Sequence, residues 1–99
     1  MIDGGKVEGK VWGEDVLLFC SPFVEVHLLR VSPGGFCSRH YHRAKRNRFF
    51  VMEGSLTVVT VRGKFEDKTE LKPGWFKDVY PGEVHLFEGG EKGAVVLEF

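Results

Sequence analysis

Glycine and proline punctuate this chain so densely that it is cut into stretches mostly four to nine residues long. Breaks fall at Gly4-Gly5, Gly13, Ser21-Pro22, Pro33-Gly34-Gly35, Gly54, Gly63, Pro73-Gly74, Pro81-Gly82 and Gly89-Gly90. Between them lie "KVW", "DVLLFC", "FVEVHLLRV", "FCSRHYH", "RFFVM", "SLTVVTVR", "KFEDKTELK", "WFKDVY", "VHLFE" and "AVVLEF", rich in Val, Phe, Thr and Leu. β-branched and aromatic residues suit a pleated, half-buried surface, so the spacing predicts an all-β sandwich or barrel over one domain, residues 1–99. "EVHLLRV" mimics a helical turn, but its β-branched content and flanking prolines favour a strand. "HRAKRN" lacks strand character and reads as a loop. "VMEGSLTVV" and "VRGKF" read as hairpins turning at Gly54 and Gly63, with Glu53 a hairpin residue.

The stretch "RHYHRAKRN" places His40 and His42 one residue apart. On a strand, alternate side chains share a face, so the two imidazoles would project together. A metal ion, a hydrogen-bonded core or solvent exposure would each account for that. A further histidine, His85 in "YPGEVHLF", follows a Pro-Gly turn. Three imidazoles suit Zn, Fe, Ni or Cu, and three protein ligands leave the open positions that a reactive site needs. His27 shares a strand face with Phe23, Glu25 and Leu29 and reads as structural or surface. Cys37 lies three before His40 and would face away from it on a strand, so it is not counted as a ligand. Cys20 and Cys37 show no spacing motif and read as free thiols.

Fourteen basic and fourteen acidic side chains cancel. Such a balance argues against nucleic-acid and membrane-surface binding, which favour a basic excess. No apolar run reaches the length of a membrane span. The opening "MIDGGKVEGK" lacks the layout of a signal peptide, giving a cytoplasmic expectation.

These residues carry a family resemblance. The chain resembles a cupin, a small double-stranded β-helix or jelly-roll barrel. The family's first motif, G-x5-H-x-H-x(3,4)-E-x6-G, is matched at Gly34, His40, His42 and Gly54. Its second, G-x5-P-x-G-x2-H-x3-N, is matched at Gly74, Gly82 and His85. Tyr80 stands at the second motif's proline and Gly89 at its closing Asn. Asn47 stands where the first motif has its glutamate ligand, offering a neutral carbonyl oxygen that binds metal less strongly than a carboxylate. The resemblance implies one divalent transition metal (Fe, Ni, Mn or Zn) on His40, His42 and His85, with Asn47 as a candidate fourth ligand. It further implies either a mononuclear enzyme of the dioxygenase or sugar-isomerase-like type, or a non-catalytic cupin that binds or senses a small ligand.

Arg43, Lys45, Arg46 and Arg48, preceded by Arg39, follow the paired histidines. Charge runs are commonly solvated faces; here the run also fits a pocket mouth that attracts a small anionic ligand. Arg46, Arg48 and Tyr80 are the candidate substrate contacts, while Trp75 and Phe76 read as core. "RFFVM" and "SLTVVTV" are apolar on both faces. One face fills the barrel and the other needs a second sheet or a partner subunit; with the high aromatic content, this predicts a homodimer formed by sheet-to-sheet packing.

Overall fold

A computed structural model describes residues 7–41, 43 and 45–99, and all the regular structure in it is β. Seven strands follow in chain order: β1 (Val7–Lys10), β2 (Gly13–Cys20), β3 (Glu25–Val31), β4 (Asn47–Arg62), β5 (Phe65–Leu71), β6 (Phe76–Val79) and β7 (Val84–Glu98). They hydrogen-bond in the order β1-β2-β3-β7-β4-β5, with β6 paired to β4 beside that path. Each named pairing is antiparallel.

Two of the sequence breaks are not turns. Gly54 lies inside β4, sixteen residues long, and Gly89-Gly90 lies inside β7, fifteen residues long. The two strands pair with each other in two blocks. Phe49–Gly54 runs against Glu98–Ala94, and Leu56–Val61 runs against Gly89–Val84, with register shifts at Val51/Glu53 and Gly54/Leu56. Those bulges bend the ladder where hairpins were expected, and Glu53 sits opposite Val95 in the bulge. A bulge and a hairpin turn both need permissive backbone, and local sequence does not separate them. Gly63, by contrast, does turn a hairpin, with Arg62 paired to Phe65.

The bend rolls the sheet over on itself, and the core lies between the halves. Leu29 and Val31 from β3, Phe49 and Val51 from β4, and Ala94 and Val96 from β7 face Leu56, Val58, Leu71 and Phe87. "FCSRHYH" does not form the expected strand. Phe36 and His40 make isolated bridges to Glu88 and His85 of β7. Trp75 and Phe76 are not core residues either, each being 53% exposed.

Gly54 and Gly93 both have φ of +73°. A Cβ on Gly54 would stand 2.0 Å from the Gly93 carbonyl oxygen, whereas one on Gly63, at φ 60°, meets nothing within 4 Å. A side chain in the left-handed region costs about 1–2 kcal/mol by itself. Gly63→Ala should therefore destabilise the protein by about 1 kcal/mol, and Gly54→Ala by about 3 kcal/mol or more because the ladder must shift as well. Urea unfolding midpoints read the difference; equal losses would show that the Gly54 bulge does not set the bend.

Candidate functional site

His40 and His85 meet across their isolated bridge, where each backbone N–H donates to the other's carbonyl, at 3.0 and 2.8 Å. The rings lie 4.1 Å apart, centroid to centroid, inclined at 63°. Each Nδ1 is placed against the carbonyl oxygen of the residue two before it, His40 on Ser38 at 2.9 Å and His85 on Glu83 at 3.1 Å. A carbonyl only accepts, so Nδ1 is the donor in both rings. In the neutral imidazole Nε2 then carries the lone pair. His85 is fully buried and stacks at its edge against Phe49, ring centroids 6.3 Å apart. His42 lies outside the described residues.

Asn47 opens β4 and is 1% exposed. Its Nδ2 donates to Oε2 of Glu98 at 2.8 Å. A carboxylate only accepts, which fixes the amide's orientation. Its Oδ1 is buried, with no hydrogen-bond partner among the described residues.

His40 and Asn47 line one cavity of ≈ 350 Å³, together with Asp15, Glu25, His27, Cys37, Lys45 and Glu98. His27, read from the sequence as structural or surface, is one of the residues lining this cavity. Its Nδ1 lies 2.6 Å from Oδ1 of Asp15 and its Nε2 lies 3.2 Å from Oε2 of Glu25. The signal was the period-two face Glu25, His27, Leu29, which turns inward as a unit. Cys37 also faces this cavity, because its segment is not a continuous strand. Burial pushes its thiol up, and its Sγ accepts from the Phe87 N–H at 3.2 Å.

The basic residues part company. Arg48 belongs to β4 and makes a two-pronged contact with Asp78, Nε to Oδ1 at 2.6 Å and the second nitrogen to Oδ2 at 2.9 Å. Its guanidinium also stacks 4.2 Å from the centroid of Phe76. That fork holds the Asp78 carboxyl below its usual range. Arg39 pairs with Glu66 at 2.8 Å, and Lys45 with Glu25 at 3.7 Å. Arg46, Arg48 and Lys45 line a second, outer cavity of ≈ 570 Å³ with Phe23 and Glu25. Glu25 and Lys45 thus belong to both cavities. Tyr80 sits exposed before the Pro81-Gly82 turn, its N–H donating to Glu83 at 2.9 Å. Neither Arg48 nor Tyr80 lines the cavity of His40.

Burial at the cavity wall lowers the His27 pKa, but the hydrogen bonds to Asp15 and Glu25 outweigh it and hold the residue above the ordinary histidine value. Glu98 of β7 adds to that hold. The Glu25 carboxyl is lowered, first by His27 and then by Lys45. A raised histidine stabilises fully below the unfolded value of about 6.5, and the contribution is lost as pH rises through the folded value. Stability should accordingly fall as pH climbs from about 6.5 through the raised His27 value, and His27→Gln should remove that slope. Urea midpoints measured across pH test this; an unchanged slope in His27→Gln would assign the pH dependence elsewhere.

No family model and no curated protein matches the sequence. Solved structures do match in shape. Drosophila melanogaster CENP-C bound to CAL1 aligns with a TM-score of 0.82 at 15% identity, over 95% of this chain and 78% of that one. The capsular polysaccharide assembling protein CapF from Staphylococcus aureus aligns with a TM-score of 0.85 at 17% identity, over 94% of this chain and 27% of that one. The cupin domain of Schizosaccharomyces pombe Cnp3 aligns with a TM-score of 0.76 at 11% identity, over 86% and 61%. Rolled antiparallel sheet, bent β4–β7 ladder and matching shapes agree on one architecture: the protein folds as a cupin barrel.

Proposed function

We propose that this cupin holds one divalent transition ion (Fe, Ni, Mn or Zn) on His40, His42 and His85, with Asn47 Oδ1 as a fourth donor, and uses it to engage a small polar or anionic molecule. The observation that carries the reading is the matched restraint of His40 and His85, whose Nδ1 atoms are both held by backbone carbonyls. Histidines that ligate metals characteristically donate their other ring nitrogen in this way. The residues fit such an ion: His40 and Asn47 line one cavity, the Asn47 Oδ1 is buried with no partner among the described residues, and the His85 ring lies 4.1 Å from that of His40. Among the described residues no group of three His, Cys, Asp or Glu gathers closely enough to hold a metal, so the proposal depends on His42, which lies outside them, as the third imidazole.

A bound ion with open positions supplies Lewis acidity for chemistry of the dioxygenase or isomerase type. The chain's own part is to admit and orient the ligand. Arg46 and Lys45, lining the outer cavity, attract an anionic group, while Arg48 is committed to Asp78. One observation favours the alternative, non-catalytic binding with the metal as anchor. Asp15, Glu25 and Glu98, the carboxylates of the inner cavity, are each already hydrogen-bonded within the chain.

The homodimer belongs to this proposal, and the register supports it. Outward-facing Val7, Val16, Leu28, Leu97, Phe50 and Phe76 stand directly opposite one another across six strands. The ion pairs Glu14–Arg30 and Arg48–Asp78 flank the row and neutralise one another's charge within the chain, which suits a second copy of the same face.

Two outcomes are expected. Protein purified without a histidine tag should carry one transition ion per chain by elemental analysis, and His40→Ala and His85→Ala should each lose it while the barrel stays folded. Stoichiometric metal in the His40, His42 and His85 triple alanine variant would sink the assignment. Light scattering at micromolar concentration should give a dimer mass, reduced to a monomer by Leu97→Arg; a monomeric parent would contradict the assembly.

A further inference from the structure

In this site Asn47 stands in place of the glutamate, and a carboxylate stands directly behind it. Asn47 Nδ2 donates to Glu98 Oε2 at 2.8 Å, and both residues line the ≈ 350 Å³ cavity with His40. Glu98 is fixed on β7 by register, opposite Phe49 of β4 and His27 of β3. The buried Oδ1 of Asn47 has no donor among the described residues. Leaving a buried carbonyl oxygen without a partner is costly, so a purely structural amide at this position would be a poor solution.

We infer that Glu98 is the carboxylate of this centre, acting on a bound cation through Asn47 rather than touching it. The inference rests on the metal reading above. Two effects follow from the single hydrogen bond. Because the carboxylate only accepts, it holds the amide with Nδ2 turned back and Oδ1 turned the other way. Because the bond is charge-assisted, it draws the N–H proton toward the carboxylate and pushes electron density through the conjugated amide onto Oδ1, strengthening a neutral donor. Glu98 is thus a positioning residue. The negative charge that cupins carry on the ligand is here displaced by one hydrogen bond, onto the neighbouring strand.

The mechanism predicts coupling. Ni²⁺ or Zn²⁺ titrated calorimetrically into the metal-stripped protein should bind Glu98→Gln about 10-fold more weakly than the parent, in the range found for partners of metal ligands. Glu98→Ala, which also frees the amide to turn, should lose more. In an Asn47→Ala background the same Glu98→Gln change should cost little, because the path through the amide is gone. Melting of the stripped proteins separates this from a structural effect, since Glu98→Gln keeps an acceptor for Asn47 and should leave the melting temperature close to the parent's. Where Asn47→Ala fails to fold, Asn47→Ser carries the same comparison. Equal losses in both backgrounds, or no loss in either, would overturn the role given to Glu98 while leaving the histidine site standing. A parent protein that binds neither ion would overturn both.

Discussion

The ladder between β4 and β7 is the constraint on which the rest of this molecule depends. It is antiparallel along both strands, yet it bends where Gly54 and Gly93 approach within contact distance of backbone. In a flat, unbulged ladder Phe49 and Val51 would point to one face of the sheet and Leu56 and Val58 to the other. The bend turns them toward each other, so that apolar side chains of the same strand close a common core. It also sets both ends of β7 to work. His85 emerges at the start of the strand opposite Thr60, and Glu98 at its end opposite Phe49.

Much of this was legible in the sequence, and the failures have a shared cause. Strand type, barrel class and the placement of His40 with His85 follow from alternation, β-branched content and motif spacing, which are local or fixed-distance signals. Gly54 and Gly89-Gly90 misled because a glycine with positive φ serves a bulge as readily as a turn. Only the partner strand, far away in sequence, decides between them. Trp75 and Phe76 misled because aromatic residues at the start of an edge strand can face outward, Phe76 beneath an arginine and Trp75, just before the strand, beside Lys72.

The candidate residues were legible in the sequence, and their neighbours were not. His40 meets His85 ring to ring and shares a cavity with Asn47, whereas Asp15, Glu25, His27 and Glu98 come from β2, β3 and β7 and meet through the register of neighbouring strands. No motif links Asn47 to a glutamate fifty-one residues later. The basic run shows the converse. It looked like one charged patch, yet Arg39, Lys45 and Arg48 each find a separate acidic partner from another part of the chain.

The shared wall between the outer and inner cavities has a kinetic meaning. Glu25 and Lys45 border both spaces, and their charges are 3.7 Å apart on side chains still 44% and 41% exposed. An ion pair so wet is weak, because water and salt screen it. Thermal motion therefore parts it freely, and the border that Glu25 and Lys45 share between the two cavities is a loose one.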